Sequence, residues 1–272
     1  MSRVVTPALL HDWPLPASDG DKHSRGTVLV IGGAVPTPGA ALLAGHAALR
    51  SGAGVLQVCC APEAAMALAV QMPEARVTGW DDLGGQLEAA DAVLVGPGLD
   101  DIDHSLDLLR TVATSEAALV VDAYALGALS HEPNLLHGRA RLPVLTPNTT
   151  EAGVLSGRNE LDDLADAASD LARRYQAVVS VRGHTANPDG DRWREEGGDI
   201  GLGTAGSGDV LAGLVAGLLA RGAEPAQAAC WAVHVHAAAG QRLAARLGRT
   251  GFLARELAAE APLVLAALLP SH

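Results

Sequence analysis

The amino-acid sequence predicts an α/β fold built on a doubly wound, mostly parallel sheet. Continuous apolar runs such as Thr27-Val28-Leu29-Val30-Ile31 and Ala92-Val93-Leu94-Val95 lack the alternation of a half-solvated strand, as expected where helices cover both faces of a sheet. Each run ends in a glycine, proline or polar break and passes into a helical stretch, a unit that recurs about six times. With 272 residues and no Pro/Ser-rich linker, charge run or internal repeat, the chain reads as one domain over 1–272.

Thr6-Pro7 reads as the cap and first residue of a short helix that closes before Pro14 and Pro16, and 19–25 as polar loop. Strand 27–31 ends in Gly32-Gly33, and helix 40–50 stops at Ser51-Gly52. Strand 55–59, a helix over 63–70, a weak helix over 81–89 and strand 92–95 follow, the last broken at Gly96-Pro97-Gly98. The alternation continues with helix 105–113, strand 118–122, a short helix from Tyr124, strand 143–145 and a helix from about Thr150 to Leu155. An amphipathic helix over 161–175 feeds strand 178–181, and helices over 210–221, 225–247 and 253–268 complete the chain. Ligands of such sheets sit beyond the carboxyl ends of the strands, which places the expected site at the breaks Gly32, Gly96, Asp122, Thr146 and Arg182.

The densest glycine segment is Gly201-Leu202-Gly203-Thr204-Ala205-Gly206-Ser207-Gly208-Asp209, with four glycines in eight residues ahead of an apolar helix. Glycine lets backbone N–H groups approach a ligand, and the helix start adds free N–H groups and a positive dipole end, so an anion belongs here. Asp209, on the first turn, is either a helix cap or part of that site, and the helix start is expected to lower its basicity. Gly201-x-Gly203-x-x-Gly206 matches the dinucleotide fingerprint, but Glu195-Glu196-Gly197-Gly198-Asp199 ahead of it is no buried strand. A Walker A loop would end in lysine, which is absent. Ser207 has no Gly-x-Ser-x-Gly elbow and no base beside it in sequence, so it reads as a backbone donor with a small side chain.

A net charge of −12 argues against nucleic acid, and an acidic chain that handles phosphate calls for Mg²⁺. The low charged content, 18%, suggests a surface partly buried in an oligomer. Cys59, Cys60 and Cys230 read as reduced core thiols, the adjacent pair pointing to opposite sides of a strand. No signal-like start is present, and the longest apolar run falls short of the roughly 20 residues a bilayer needs, so no membrane partner and a cytoplasmic location are expected. His234 and His236, two apart on a helix, face different ways and read as packing residues; Trp231 reads as core, and Asp100-Asp101-x-Asp103 as a solvated helix start.

Gly206-Ser207-Gly208-Asp209 resembles the signature of the ribokinase-like superfamily, a three-layer sandwich. Together with Pro38-Gly39-Ala40, Ala48-Leu49-Arg50-Ser51-Gly52, Gly96-Pro97-Gly98-Leu99, Val120-Val121-Asp122-Ala123 and Asn148-x-x-Glu151, it resembles the ADP/ATP-dependent NAD(P)H-hydrate dehydratases over nearly the whole chain. That resemblance implies repair of hydrated NADH and NADPH (NADHX and NADPHX), with ADP or ATP phosphorylating the ring hydroxyl before phosphate is eliminated. It also implies a homotetramer, and a separate epimerase acting on the same substrate, since no epimerase domain precedes residue 26.

By the same resemblance Asp209 is the base, and Gly206, Ser207 and Gly208 hold the transferred phosphate. Arg182, Gly183, His184, Thr185, Ala186 and Gly208 contact the AMP portion, and Ala40, Gly98, Asn148 and Asp209 the hydrated dinucleotide. Glu151 is read either as a Mg²⁺-associated carboxylate or as a first-turn helix acid. The chain departs from the family with Arg182 for lysine, Tyr124 for a small or acidic residue, Thr150 for glycine, and a shorter 182–188 segment. Two other readings remain: a small-alcohol kinase of the hydroxyethylthiazole type, and a catalytically silent nucleotide binder.

Overall fold

The computed structural model describes residues 2–17, 20–198 and 200–269; Asp19 of the expected polar loop and Asp199 lie outside them. In chain order the elements are β1 (Arg3–Val4), α1 (Pro7–Asp12), β2 (Thr27–Ile31), α2 (Pro38–Arg50), β3 (Val55–Cys60), α3 (Pro62–Gln71), β4 (Ala75–Gly79), α4 (Leu83–Glu88), β5 (Ala92–Val95), α5 (Ile102–Ala113) and β6 (Ala118–Val121). They continue with α6 (Tyr124–Leu129), β7 (Val144–Leu145), α7 (Thr149–Ser156), α8 (Leu164–Tyr175), β8 (Val178–Val181), β9 (His184–Ala186), β10 (Arg192–Arg194), α9 (Ser207–Ala220), α10 (Pro225–Leu247) and α11 (Ala254–Leu268).

The aliphatic runs form the middle of one sheet ordered β1-β10-β9-β8-β7-β6-β5-β2-β3-β4, in which β9 alone among the described strands runs against the others. Successive residues face opposite layers, as the pleat requires. Val28, Val30, Leu94 and Val120 pack under α2, α9, α10 and α11, whereas Leu29, Ile31, Val93, Val95 and Val121 pack under α5 to α8. Cys59 and Cys60 divide between the two cores, as expected, and burial pushes both thiols up. The result is a three-layer α/β/α sandwich on a mostly parallel sheet.

Four strands were not expected from the sequence. β4 and β10 are half-buried or polar at or near the sheet edge, β1 has two residues, and β9 carries His184 and Thr185 instead of an aliphatic run. Their pairing is set by neighbours distant in sequence, which local hydrophobic pattern does not report. Several helix starts also move. Asp101 caps α5, its carboxylate accepting the His104 N–H at 2.7 Å, so the carboxylate run is a helix start as read. α9 begins at Ser207 instead of 210, which makes Asp209 its third residue.

Two features position the site. The chain builds β2, β3 and β4 outward, then returns to place β5 on the other side of β2, so the strand order reverses between β2 and β5 and their carboxyl-end loops form a crevice. α9 is seated by backbone contact with α2: a Cβ on Gly213 would lie 2.1 Å from the Ala44 carbonyl oxygen, and one on Gly217 2.4 Å from that of Ala48. Only glycine permits this approach, and it fixes where the start of α9 points.

Candidate active site

The crevice is closed by main-chain bonds. The Gly33 and Ala34 N–H groups donate to the Pro97 and Gly98 carbonyls, both at 2.8 Å, and the Thr37 hydroxyl donates to the Gly98 carbonyl at 2.9 Å. Gly98 has φ +70°, and a Cβ there would lie 2.3 Å from the Thr37 carbonyl oxygen and 3.1 Å from the Ala40 Cβ. Ala40 and Gly98, far apart in sequence, therefore touch in a cleft that admits no larger side chain. The next strand end is equally constrained: Asp122 is buried, and Ala123 after it holds φ 50° and ψ −127°, a strained conformation for a residue with a Cβ.

Three carboxylates converge here from three elements. The Asp122 Oδ1 accepts the Thr146 hydroxyl at 2.7 Å, tying the end of β6 to the end of β7, and burial holds this acid well above the usual carboxylate range. The charges of Glu151 and Asp209 push it further in the same direction. Glu151 belongs to a reciprocal capping box: the Glu151 N–H donates to Asn148 Oδ1 at 2.9 Å, and the Asn148 N–H donates to Glu151 Oε2 at 2.8 Å. Its other oxygen bonds to no described residue, and burial raises its pKa.

Asp209 differs. α9 opens on Gly206 with φ 85°, without a side-chain cap, and among the described residues nothing donates a hydrogen bond to the Asp209 carboxylate. Burial first and the Glu151 charge second push its pKa up to about 6. The expectation of a lowered basicity is thus overturned, because desolvation and a like charge outweigh the helix N-terminus. The glycines around it are not equivalent. A Cβ at Gly206 would strike Leu43 Cδ1 at 2.4 Å, whereas one at Gly208 meets nothing within 4 Å, so open space lies over the middle of the loop.

The expected AMP-contact segment is a hairpin. Arg182 (φ 46°) and Gly183 (φ 87°) form a two-residue turn between paired Val181 and His184, and positive φ at both positions is the geometry that matches the strand twist. This accounts for the short segment. Arg182 and Gly183 stand at the tip, with the Arg182 side chain exposed and His184 half-buried; Thr185 and Ala186 turn their side chains into the sheet, Thr185 bonding Ser180 Oγ at 3.2 Å. Tyr124 is exposed at the start of α6 and Thr150 on the first turn of α7.

Both α10 histidines carry specific polar contacts, so packing alone was too plain a reading. His234 Nδ1 pairs with Glu195 Oε2 at 2.7 Å, on a different side of the helix from buried His236, whose Nε2 lies 2.9 Å from Ser207 Oγ. The latter gives Ser207 a nitrogen neighbour that local sequence did not reveal; the spacing to Ser207 is 29 residues. Trp231 is core as expected, its indole N–H donating to the Trp13 carbonyl at 2.9 Å. Among the described residues no group of three or more His, Cys, Asp or Glu side chains is arranged to hold a metal by itself, and no helix is long and apolar enough to cross a membrane.

A glycine-opened helix beside the switch-point crevice of a three-layer, mostly parallel sheet, with a solvent-poor carboxylate on its first turn, defines the class: a ribokinase-like α/β protein. A family profile described as NAD(P)H-hydrate dehydratase matches residues 28–263, and the chain belongs to that family. It is 44% identical over 282 aligned positions to the ADP-dependent (S)-NAD(P)H-hydrate dehydratase of Xanthomonas campestris pv. campestris, covering 97% of this chain and 96% of that protein. The ADP/ATP-dependent NAD(P)H-hydrate dehydratase of Bacillus subtilis, co-crystallised with ATP/Mg²⁺, superposes with a TM-score of 0.89 at 28% identity, covering 98% of this chain and 99% of that one. The bifunctional NAD(P)H-hydrate repair enzyme Nnr of Salinibacter ruber is 38% identical over 93% of this chain, which spans 51% of that longer protein.

Proposed function

We propose that the protein is an ADP-dependent hydro-lyase that restores NADH and NADPH from their (S)-hydrates. The observation that carries this reading is Asp209: a carboxylate on the first turn of the anion-binding helix, unbonded within the described fold and raised to about 6, beside open space over Gly208. A base poised near neutral pH is what proton transfer from an alcohol requires. Asp209 takes the proton of the ring hydroxyl as its oxygen forms a bond to the terminal phosphorus of ADP, and the bond to AMP breaks. The N–H groups of Gly206, Ser207 and Gly208 hold the transferred phosphoryl group. Departure of phosphate with loss of a ring proton then forms the double bond of the dihydronicotinamide.

Ala40, Gly98 and Asn148 line the dinucleotide side in this reading, and the Arg182–Gly183 turn with His184 the AMP side. For Thr185 and Ala186 only main-chain contact remains open, since their side chains lie in the sheet. The free oxygen of Glu151, in a group of mutually repelling carboxylates, would hold a Mg²⁺ ion, which would supply the positive charge that a loop without lysine lacks against the donor phosphates. A homotetramer and a cytoplasmic location belong to the same reading.

The family match favours this reaction over phosphorylation of a small alcohol. The test is return of NADH absorbance when NADHX, ADP and Mg²⁺ are mixed with the protein. Recovery with release of AMP and phosphate is the expected result, and stable phosphorylation of hydroxyethylthiazole without NADH recovery would replace it with the kinase reading.

A further inference from the structure

His236 sits on α10, buried, and its Nε2 has two neighbours on one residue of the glycine loop: the Ser207 carbonyl oxygen at 3.1 Å and Ser207 Oγ at 2.9 Å. A carbonyl oxygen can only accept. Nε2 must therefore carry the ring proton, because a bare nitrogen at 3.1 Å would set lone pair against lone pair. With its proton directed at Ser207, Nε2 has no lone pair to offer the hydroxyl, so Oγ accepts as well. The serine proton is then turned away from the histidine, and among the described residues no acceptor is bonded to it. Burial pushes the imidazole down to about 4, so a neutral ring with one fixed tautomer persists at neutral pH.

Resting on the reading of this loop as the phosphoryl site, we propose that His236 is a positioning residue that makes the Ser207 hydroxyl a dedicated donor to the terminal phosphate of the nucleotide. The pair resembles a nucleophile and its base, but the tautomer assigns the opposite roles: His236 cannot accept the serine proton, and Ser207 forms no covalent intermediate. The serine adds one side-chain donor to the backbone N–H groups of a loop that has no lysine. His236 also holds the Ser207 carbonyl, so it locks the first residue of α9 from the side opposite the ligand.

The experiment has two arms on the intact protein. In the first, nitrogen-15 NMR of the His236 ring reads the tautomer without any ligand: a proton on Nε2 from pH 6 to 9 is expected, and a proton on Nδ1 would overturn the proposal. In the second, calorimetry compares ADP with AMP, both with Mg²⁺, for the parent, Ser207→Ala, His236→Met and the double variant. Loss of a hydrogen bond to a charged phosphate predicts roughly tenfold or greater weakening of ADP with AMP nearly unchanged. The double variant should be no weaker than Ser207→Ala alone, and His236→Gln, whose amide reaches the same position as a donor, should restore much of the ADP affinity. Parental ADP affinity in Ser207→Ala, or additive losses in the double variant, would sink it. If His236→Met does not fold, Ser207→Ala and His236→Gln carry the test. Failure of the parent to bind ADP would instead remove the phosphoryl-site reading, leaving the tautomer result standing.

Discussion

α7 and α9 start alike and end up doing different things. Both carry an acid at the third helical position, Glu151 in one and Asp209 in the other, and the Glu151 charge is close enough to raise the Asp209 pKa. On α7 the cap is Asn148, whose side chain satisfies the Glu151 N–H while the glutamate reaches back to the Asn148 N–H. On α9 the cap is Gly206, which has no side chain to offer, and the shorter aspartate makes no return bond. One carboxylate closes its own helix; the other stays unbonded in a desolvated place. The residue before the helix, not the acid itself, decides which carboxylate is tied into its own helix and which is left unbonded, since the capping box needs both partners.

Breaking the reactive half has the largest expected effect. Asp209→Asn removes the base and lowers turnover on the order of 10² to 10⁴. It also raises stability at pH 7 to 8. A folded value of about 6 lies above that of the unfolded chain, so the Asp209 proton stabilises the fold fully below about pH 4 and this contribution is lost as pH rises through 6. The amide escapes that loss, worth about 3 kcal/mol at most, and the melting temperature of the variant should exceed that of the parent at pH 8 but match it near pH 3.5. An active or a destabilised Asp209→Asn protein at pH 8 contradicts the assignment.

The loop glycines sharpen the same contrast. Gly208→Val places its side chain in the open space and should weaken ADP binding tenfold or more with little change in melting temperature. Gly206→Val must instead strain a positive φ and displace Leu43, so it should lose stability by roughly 1–3 kcal/mol. Calorimetry and thermal melts on the pair separate ligand space from backbone necessity. Glu151→Gln keeps an oxygen for the Asn148 N–H while removing a charge. Its acid limb of activity should therefore shift below the parental value near 6, and half-maximal rate should need more Mg²⁺; an unmoved limb would show that Glu151 does not set the Asp209 pKa. The smallest effect on stability is expected for Asn148→Ala, a loss of about 1 kcal/mol as the capping box opens, together with weaker binding of the hydrated dinucleotide.

The glycine loop was legible in the sequence because four residues without a side chain in eight positions cannot be mistaken for a packed strand. Asp209 and Glu151 were visible as first-turn acids. Their different fates were not, because desolvation and a like charge from another helix determine the pKa, and both depend on distance through space. The Ser207–His236 pair was hidden for the same reason: 29 residues separate the partners, and a histidine inside an apolar helix has no local mark of what it faces.

The sequence by itself determined the layered α/β order, since continuous aliphatic strands and glycine-terminated helices allow few other arrangements, and it pointed to the carboxyl ends of the strands as the place for a ligand. The close approach of α9 to α2 at Gly213 and Gly217, by contrast, shows only in the fold. Tertiary structure alone decided the polar edge strands, the Arg182–Gly183 hairpin, the contact of Ala40 with Gly98 and the ionisation of Asp209. The division has a physical cause: hydrophobic period and glycine act along the chain and can be read from neighbours, whereas strand pairing, burial and electrostatic coupling arise between residues that only folding brings together.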